Sequence, residues 1–267
     1  MKKWIAVLLA VMMLASVFGM TGCDKDNLGG GDNNTTDLYT LVSQAMENSQ
    51  KVSSYSATIT QVSTQSLMGM TMETNMTMNI KANAADSNNP EIGMDGSMTM
   101  DGQNIPYAFY FKDGWMYIST YGEGYKMQVT LDEFQQDAGS VEEMFTDLPK
   151  ELFDGVTAKV ENGVTTVELT ADSDEFKAMY EKLVQEMFAD VLGDDISAVE
   201  VSDAKIVISA SGGYVRSYDM SFKCSYTFSG ETISFTVTQN LVFNSINEDV
   251  TITPPEGYES FPEMSMG

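Results

Sequence analysis

Residues 68–80 read Met-Gly-Met-Thr-Met-Glu-Thr-Asn-Met-Thr-Met-Asn-Ile, and this stretch decides the fold class. Apolar and polar side chains alternate along it. Successive side chains of a β-strand point to opposite faces of the sheet, so a period of two predicts a strand with one apolar face and one polar face. The predicted apolar face holds Met68, Met70, Met72, Met76, Met78 and Ile80, and the polar face holds Thr71, Glu73, Asn75, Thr77 and Asn79.

The same alternation recurs along the rest of the chain. It is seen in residues 94–100, 105–111 and 115–118, and Asp113-Gly114 is a hairpin-turn signal between the last two. Shorter strands are predicted at about 156–160 and 164–170, separated by Asn162-Gly163. Three long strands follow at about 201–211, 214–228 and 231–243, with Gly212-Gly213 and Ser229-Gly230 as turns. The pattern is typical of antiparallel strands that meander.

Helices are predicted before and between the strands. The first begins behind Thr36 as N-cap, and its apolar stripe runs from Leu38 to Val52. Thr130-x-x-Glu133 and Ser140-x-x-Glu143 are capping boxes for two short helices, the second ending at Pro149. The strongest stripe, from Phe176 to Val191, predicts a helix between a cap at Asp172 and Gly193. Helices must cover the apolar sheet face, which predicts an α+β fold.

The N-terminus has the form of a secretory signal. Two lysines precede an apolar run from Trp4 to Phe18, which is too short to span a bilayer of about 30 Å. The following residues Met20, Thr21, Gly22 and Cys23 resemble the lipobox of bacterial lipoproteins, in which the cysteine thiol receives a diacylglycerol before cleavage. This predicts a signal peptide over 1–22, a lipidated Cys23 with a flexible tether over 23–36, one domain over 37–260 and a tail over 261–267.

Charge limits the partners. The chain carries a formal charge of −25, and removal of residues 1–22 leaves 12 basic and 39 acidic side chains, or −27, with no histidine. Nucleic acid is excluded as a partner because its binding depends on Lys and Arg that neutralise phosphates. An anionic bilayer would also repel the protein. The expected attachment to the outer face of the membrane therefore depends on the diacylglyceryl group of Cys23.

The sequence lacks the usual marks of catalysis. There is no histidine for general acid–base work, and no nucleophile elbow, phosphate loop or dinucleotide motif. Alternation places Cys224 on one strand face with Met220, Phe222, Tyr226 and Phe228, which predicts a buried, inert thiol. We expect no enzyme, no cofactor and no metal. A scattered calcium site of Asp and Glu, and an enzyme that uses paired carboxylates on cell-wall sugars, stay open as alternatives.

The methionines are the compositional anomaly, since 17 of the 21 remain after residue 22. They can be soft filling of the core, an adaptable apolar surface for acyl chains, or thioether ligands of Cu(I). Copper is the least favoured, because sites of that kind gather Met with His or Cys in loops. The aromatic residues between Tyr107 and Tyr125 are expected to pack across a hairpin, and some of them to line the mouth of a cavity.

Three stretches carry a family resemblance: 51–56 (Lys-Val-Ser-Ser-Tyr-Ser), 111–117 (Phe-Lys-Asp-Gly-Trp-Met-Tyr) and 252–258 (Ile-Thr-Pro-Pro-Glu-Gly-Tyr). They resemble lipoproteins from Clostridia-like Gram-positive bacteria, whose common domain has no assigned function, and the resemblance implies a Gram-positive cell. That domain is similar in layout to the LolA/LppX/LprG-like superfamily. The resemblance implies a half-open antiparallel β-barrel with helices on its concave face. It also implies that a lipid or other amphiphile binds in an apolar cavity between sheet and helices.

The expected lining of that cavity combines the methionine and aromatic faces. The alternative function is a non-catalytic interaction or sensor module, with a filled groove and an envelope protein as partner. The candidate lining residues are Met70, Met72, Met76, Met78, Met98, Met100, Phe109, Phe111, Trp115, Tyr117, Met179, Leu183, Met187, Phe222 and Phe235.

Overall fold

A computed structural model describes residues 37–67, 70–83, 90–100, 102–130, 148, 150–170, 178, 181, 196–228 and 231–264. These residues form one complete helix, α1 (Leu38–Gln50), two short 3-10 helices, Lys150–Phe153 and Tyr258–Ser260, and eleven strands. The strands are β1 (Ser54–Leu67), β2 (Met70–Asn83), β3 (Glu91–Met100), β4 (Gln103–Lys112), β5 (Trp115–Thr120), β6 (Glu123–Gln128), β7 (Lys159–Glu161), β8 (Val164–Thr170), β9 (Ile196–Ser211), β10 (Tyr214–Phe228) and β11 (Glu231–Ile246).

All eleven strands belong to one curved, open antiparallel sheet in the order β6-β5-β4-β3-β2-β1-β11-β10-β9-β8-β7. Each half of the sheet is a meander in which sequential strands are neighbours. The halves join where β1 pairs with β11, with Tyr55 opposite Ile246 and Ser66 opposite Ser234. The first and last strands of the chain therefore lie at the centre of the sheet.

Two-residue turns connect several of the hairpins. Asp113-Gly114, Asn162-Gly163 and Gly212-Gly213 each have positive φ at both positions, between 52° and 82°. Turns of this hand match the right-handed twist of the strands that they connect. These three predicted turns are confirmed, whereas the fourth prediction, Ser229-Gly230, lies outside the described residues. Tyr121-Gly122 is a further turn of the same kind, with φ of 53° and 80°.

We name the two faces of the sheet by their residues. The inner face contains Ile59 of β1, Met78 of β2 and Ile206 of β9, all at most 1% exposed. α1 packs on this face against β9 and β10, through Val42, Ala45 and Met46. The outer face is the opposite one.

A buried serine fastens α1 to the sheet. The Ser49 hydroxyl donates to the carbonyl of Ala45 at 2.7 Å and accepts from the backbone N–H of Val215 at 2.9 Å. A polar side chain in the apolar stripe of the helix thus satisfies a backbone donor at a bulged position of β10, which would otherwise be buried without a partner.

Some of the predicted elements differ from the structure. The sequence does not predict β1. Its inner face holds Ile59 but also Gln61, Ser63 and Gln65, so the strand has no clear apolar face in the sequence. The short β6 is missed as well. The N-cap position of α1 is Asp37, one residue after the predicted Thr36.

Other predicted elements fall outside the described residues. They include both helices expected within 130–149 and most of the segment 172–193, where Ala178 and Glu181 are described and are helical. The covering helices of the expected half-barrel therefore stay a prediction. The fold within the described residues is a curved antiparallel sheet with α1 on its inner face.

The C-terminal segment, residues 250–264, crosses the outer face of β2 to β6. Lys81 and Asn83 of β2 donate to the carbonyls of Thr251 and Val250 at 3.0 Å each. At the far edge, the Lys126 N–H of β6 donates to the Pro262 carbonyl, and the Met264 N–H donates to the Lys126 carbonyl. Backbone hydrogen bonds to β6 thus reach Met264, within the stretch that the sequence assigns to a tail.

Candidate ligand-binding face

The strand register arranges the inner face around β1 in rows. Residues directly opposite each other in an antiparallel pair lie on the same face. In one row, Ile59 lies between Met78 of β2 and Leu241 of β11. The next three rows along β1 are centred on Gln61, Ser63 and Gln65. They add Met76, Thr74 and Met72 from β2 and Gln239, Val237 and Phe235 from β11.

These rows differ in how deeply they are buried. Ile59, Met78 and Leu241 are essentially inaccessible to solvent, whereas Gln65, Met72 and Phe235 are half-buried. The inner face therefore becomes more accessible from the middle of β1 toward its C-terminal end. Phe235 makes edge-on contacts there with Phe222 and Tyr226, at centroid distances of 5.9 and 6.2 Å.

Two buried amides lie in the middle of this apolar face. Gln61 and Gln239 are directly opposite each other, and each is only 3% exposed. The Gln61 Oε1 has no hydrogen-bond partner among the described residues. Their row is otherwise apolar, with Met76 on one side and Met220 on the other.

Most of the described candidate lining residues lie together on the inner face. Met76, Met78 and Met98 are buried, and the register aligns Met98 with Met76 and Met100 with Thr74. Met70 begins β2, opposite Leu67. Met179, Leu183 and Met187 lie outside the described residues. The other inner-face members of the set are Met72, Met100, Phe109, Phe111, Phe222 and Phe235.

Trp115 and Tyr117 lie on the outer face, apart from that group. Tyr117 is opposite Tyr110, at a centroid distance of 5.8 Å, and both rings contact Tyr258 of the C-terminal segment at 5.0 to 5.3 Å. The Lys126 ammonium lies 5.2 Å from the centroid of the Trp115 ring. The physical reason is register: the turn at Asp113-Gly114 pairs Phe111 with Met116, which turns Trp115 and Tyr117 away from Phe109 and Phe111.

Tyr107 lies on the inner face and closes over a glycine. Its hydroxyl donates to the Thr77 carbonyl at 3.2 Å, and this contact lies beside Gly96, where a Cβ would collide with the same carbonyl. Burial, with the charge of Asp95 as a smaller cause, raises the pKa of Tyr107 to about 12. The phenol therefore stays protonated at neutral pH and acts as a donor.

The Cys224 thiol lies on the inner face, opposite Phe235 and Val201. Its predicted burial is confirmed, since it is 3% exposed. Burial raises the pKa of the thiol to about 12, with Glu181 adding a smaller contribution. A protonated thiol is a poor nucleophile at neutral pH.

The outer face of β9, β10, β11 and β1 carries a groove of about 370 Å³, which we name the outer groove. Its lining includes the hydroxyl side chains Thr64, Ser66, Ser234 and Thr236, together with Lys223. Lys223 pairs with Asp203 at 2.7 Å, and that hydrogen bond raises the pKa of the lysine. This groove has a lining of mixed polarity and lies on the opposite side of the sheet from the methionines, so it is distinct from the expected apolar cavity.

Two absences concern the described residues alone. Within them, no group of three or more His, Cys, Asp or Glu side chains is placed to hold a metal ion. None of the helices in those same ranges has the length and apolar character that a membrane span requires. Met20 to Cys23 precede the described residues, so the lipobox stays a prediction.

No family model and no curated protein matches the sequence. Among solved structures, the chain is similar to LprF from Mycobacterium bovis, with 10% identity, a TM-score of 0.37, and coverage of 81% of this chain and 96% of that one. It is also similar to a DUF1329 family protein from Desulfovibrio piger, with 8% identity, a TM-score of 0.23, and coverage of 82% and 96%.

Proposed function

We propose that this protein is an extracytoplasmic, lipid-anchored binding protein that holds a lipid or another amphiphile against the inner face of its sheet. The observation that supports it is the methionine-rich inner face, which changes from buried to half-buried rows between Met78 and Met72. Unbranched thioether side chains adapt to flexible apolar ligands. Ligand sites are mostly apolar with a few placed polar groups, as the amides of Gln61 and Gln239 are here.

The proposed role is binding and not catalysis. The inner-face groups Cys224, Tyr107 and Tyr226 have a raised pKa and keep their protons at neutral pH. A general base is most effective when its pKa lies near the working pH, and a nucleophile must be deprotonated or have a base beside it. Their contribution to a binding face is apolar surface and, for Tyr107, a fixed backbone contact.

Co-purification tests the binding proposal. Protein that begins at Asp24, and so lacks the anchor, is purified without detergent, extracted with organic solvent and analysed by mass spectrometry. We expect an amphiphile at up to one molecule per chain. Met72→Trp fills the half-buried row and should remove it, whereas Val62→Trp, on the outer face of the same sheet, should not. Wild-type protein that carries no amphiphile and binds none on addition contradicts the proposal.

Anchoring through Cys23 has its own test. Cells that express the full chain are labelled with palmitate, and we expect label in the wild type and none in Cys23→Ser. Two acyl chains contribute roughly 0.8 kcal/mol per buried methylene, which is enough for stable attachment. Equal label in both proteins would contradict anchoring, while leaving the binding proposal to be judged on the co-purified ligand.

The outer groove, with its mixed polar and apolar lining, favours a second candidate function, docking of another envelope protein. Hydroxyl side chains and the Lys223–Asp203 pair are the kind of polar surface found at the rim of interfaces. A photo-crosslinking side chain at Thr236 reports on this surface, and one at Met72 reports on the inner face. A protein adduct at Thr236 supports docking, and a lipid adduct at Met72 supports ligand binding.

A further inference from the structure

The side-chain carbonyl of Gln61 is a buried hydrogen-bond acceptor on the inner face that lacks a donor. The side chain is 3% exposed, and its Oε1 accepts no hydrogen bond within the part of the chain that the structure describes. A buried acceptor without a donor costs free energy, because it has given up its bonds to water. Native proteins keep few such groups, so each one needs an explanation.

The described neighbours of Gln61 do not supply that donor. In its own row, the amide of Gln239 lies directly opposite but donates no hydrogen bond to the Gln61 Oε1. Met76 on the other side, and Met220 beyond Gln239, offer thioethers, which have no hydrogen to donate. Along β1 the preceding inner-face residue is Ile59. A Gln at this position breaks an apolar row that a Leu or Met would fill.

A line of neutral polar groups connects Gln61 with the accessible end of the inner face. Ser63 and Gln65 follow it on β1, and Thr74 lies opposite Ser63 on β2, all three partly exposed. The inner-face rows, centred on residues 57, 59, 61, 63 and 65 of β1, contain no Asp, Glu, Lys or Arg on β2, β10 or β11. Apolar surface from Met72, Met76 and Phe235 flanks this line on both sides.

We propose that the ligand is an uncharged amphiphile with a hydroxyl or amide donor, and that the Gln61 carbonyl accepts a hydrogen bond from it. This inference rests on the proposed function and specifies the chemical class of its ligand. The carbonyl of Gln61 is a hydrogen-bond acceptor, so it favours a ligand with a donor. The inner-face rows contain no Lys or Arg to neutralise a phosphate or carboxylate, and a buried charge without a partner costs free energy. The acyl chains then lie against the methionines and Phe235.

A competition experiment tests this chemistry with matched probes. Protein from Asp24 onward receives equal amounts of 1,2-dioleoylglycerol and its 3-O-methyl ether, which has the same acyl chains and no donor. Native mass spectrometry gives the ratio of the two complexes. We expect the free alcohol to be favoured roughly tenfold, as for a buried hydrogen bond that the ether cannot make. Dioleoylphosphatidylglycerol, added separately, should bind more weakly than dioleoylglycerol.

The variants locate the preference. Gln61→Met keeps the length of the side chain and removes the acceptor, so both probes should bind equally. Val62→Met, on the outer face of the same strand and exposed to solvent, should keep the wild-type preference. Thermal melts of each variant establish that it is folded. The ratio of alcohol to ether bound by the wild type tests the proposal even if a variant fails to fold.

The outcomes separate the two levels of the proposal. If the wild type binds none of the three probes, and carries nothing on purification, the proposed function itself fails. If it binds the alcohol and the ether equally, or favours the anionic lipid, the protein is an amphiphile binder and this inference is overturned. A preference that persists in Gln61→Met also overturns it.

Discussion

The two faces of the sheet are built on the same strands but are closed in different ways. The middle of the inner face is buried by side chains from β1, β2, β9, β10 and β11 and by α1, and it contains the two buried amides. On the outer face, the half formed by β3 to β6 lies under the C-terminal segment, whereas β9 to β11 carry the outer groove. Alternation alone therefore does not decide which side of a strand is buried.

Tyr110 shows the consequence. It is on the outer face, yet it is 2% exposed, because Tyr258 covers its ring and its hydroxyl donates to Glu91 at 2.7 Å. Tyr121, in the turn after β5, is 61% exposed. The C-terminal segment makes part of the outer face into a second, aromatic core.

The largest expected effect is on the inner face, at Gly96. A Cβ there would collide with the Thr77 carbonyl and crowd the Tyr107 hydroxyl, and backbone of the neighbouring strand cannot easily move away. We expect Gly96→Ala to lower the free energy of unfolding by about 3 kcal/mol. Urea denaturation measures it. Gly93→Ala is the matched control, since its Cβ would meet the side chain of Ile252 and not backbone, and its effect should be clearly smaller.

The next effect is on the outer face. Tyr258→Ala removes edge-on ring contacts to Tyr110 and Tyr117, and we expect a loss of about 2 kcal/mol in the free energy of unfolding. Tyr121→Ala should leave stability unchanged, because that ring is solvated. Equal stability of the Tyr258→Ala variant and the wild type would mean that the C-terminal segment does not hold the outer face.

A smaller effect of opposite sign is expected at Gln61. In ligand-free protein, Gln61→Met replaces a buried acceptor that lacks a donor with an apolar side chain of similar length, which should raise the free energy of unfolding by about 1 kcal/mol. Differential scanning calorimetry of delipidated samples measures the change. A stability loss would show that the amide makes a structural contribution to the inner face.

The last and smallest expected effect is the change in stability with pH that is due to Cys224, since near neutral pH it is close to zero. Its folded-state pKa of about 12 lies above the ordinary value of 9.0, so the fold favours the protonated thiol. The resulting stability is fully present below pH 9 and is lost as the pH rises from about 9 to about 12. At pH 7.5, we expect a disulfide reagent to modify Cys224 in urea and not in the native protein. Rapid native modification at that pH would contradict the burial of the inner face.

Part of the candidate site is readable from the sequence. Met72, Met76 and Met78 alternate with polar residues, and this local pattern is enough to assign them to one face. Gln61 and Gln239 give no such signal. A Gln on a strand is predicted to face solvent, and at an inner-face position it breaks the apolar alternation by which the strand would be identified. Trp115 and Tyr117 follow the aromatic pattern of the hairpin, but the face that they occupy depends on register, which a shift of one residue reverses.

The sequence by itself determined the strand period, the positions of the tight turns and the burial of Cys224, because each depends on residues within one strand or one turn. It also carries the local pattern over residues 1–23 that predicts a signal peptide and a lipidated Cys23. Only the tertiary structure decided that β1 pairs with β11, that Gln61 meets Gln239, and that residues 250–264 cover Tyr110. These contacts join residues far apart in the chain, so their free energy depends on how the whole sheet closes and not on local pattern.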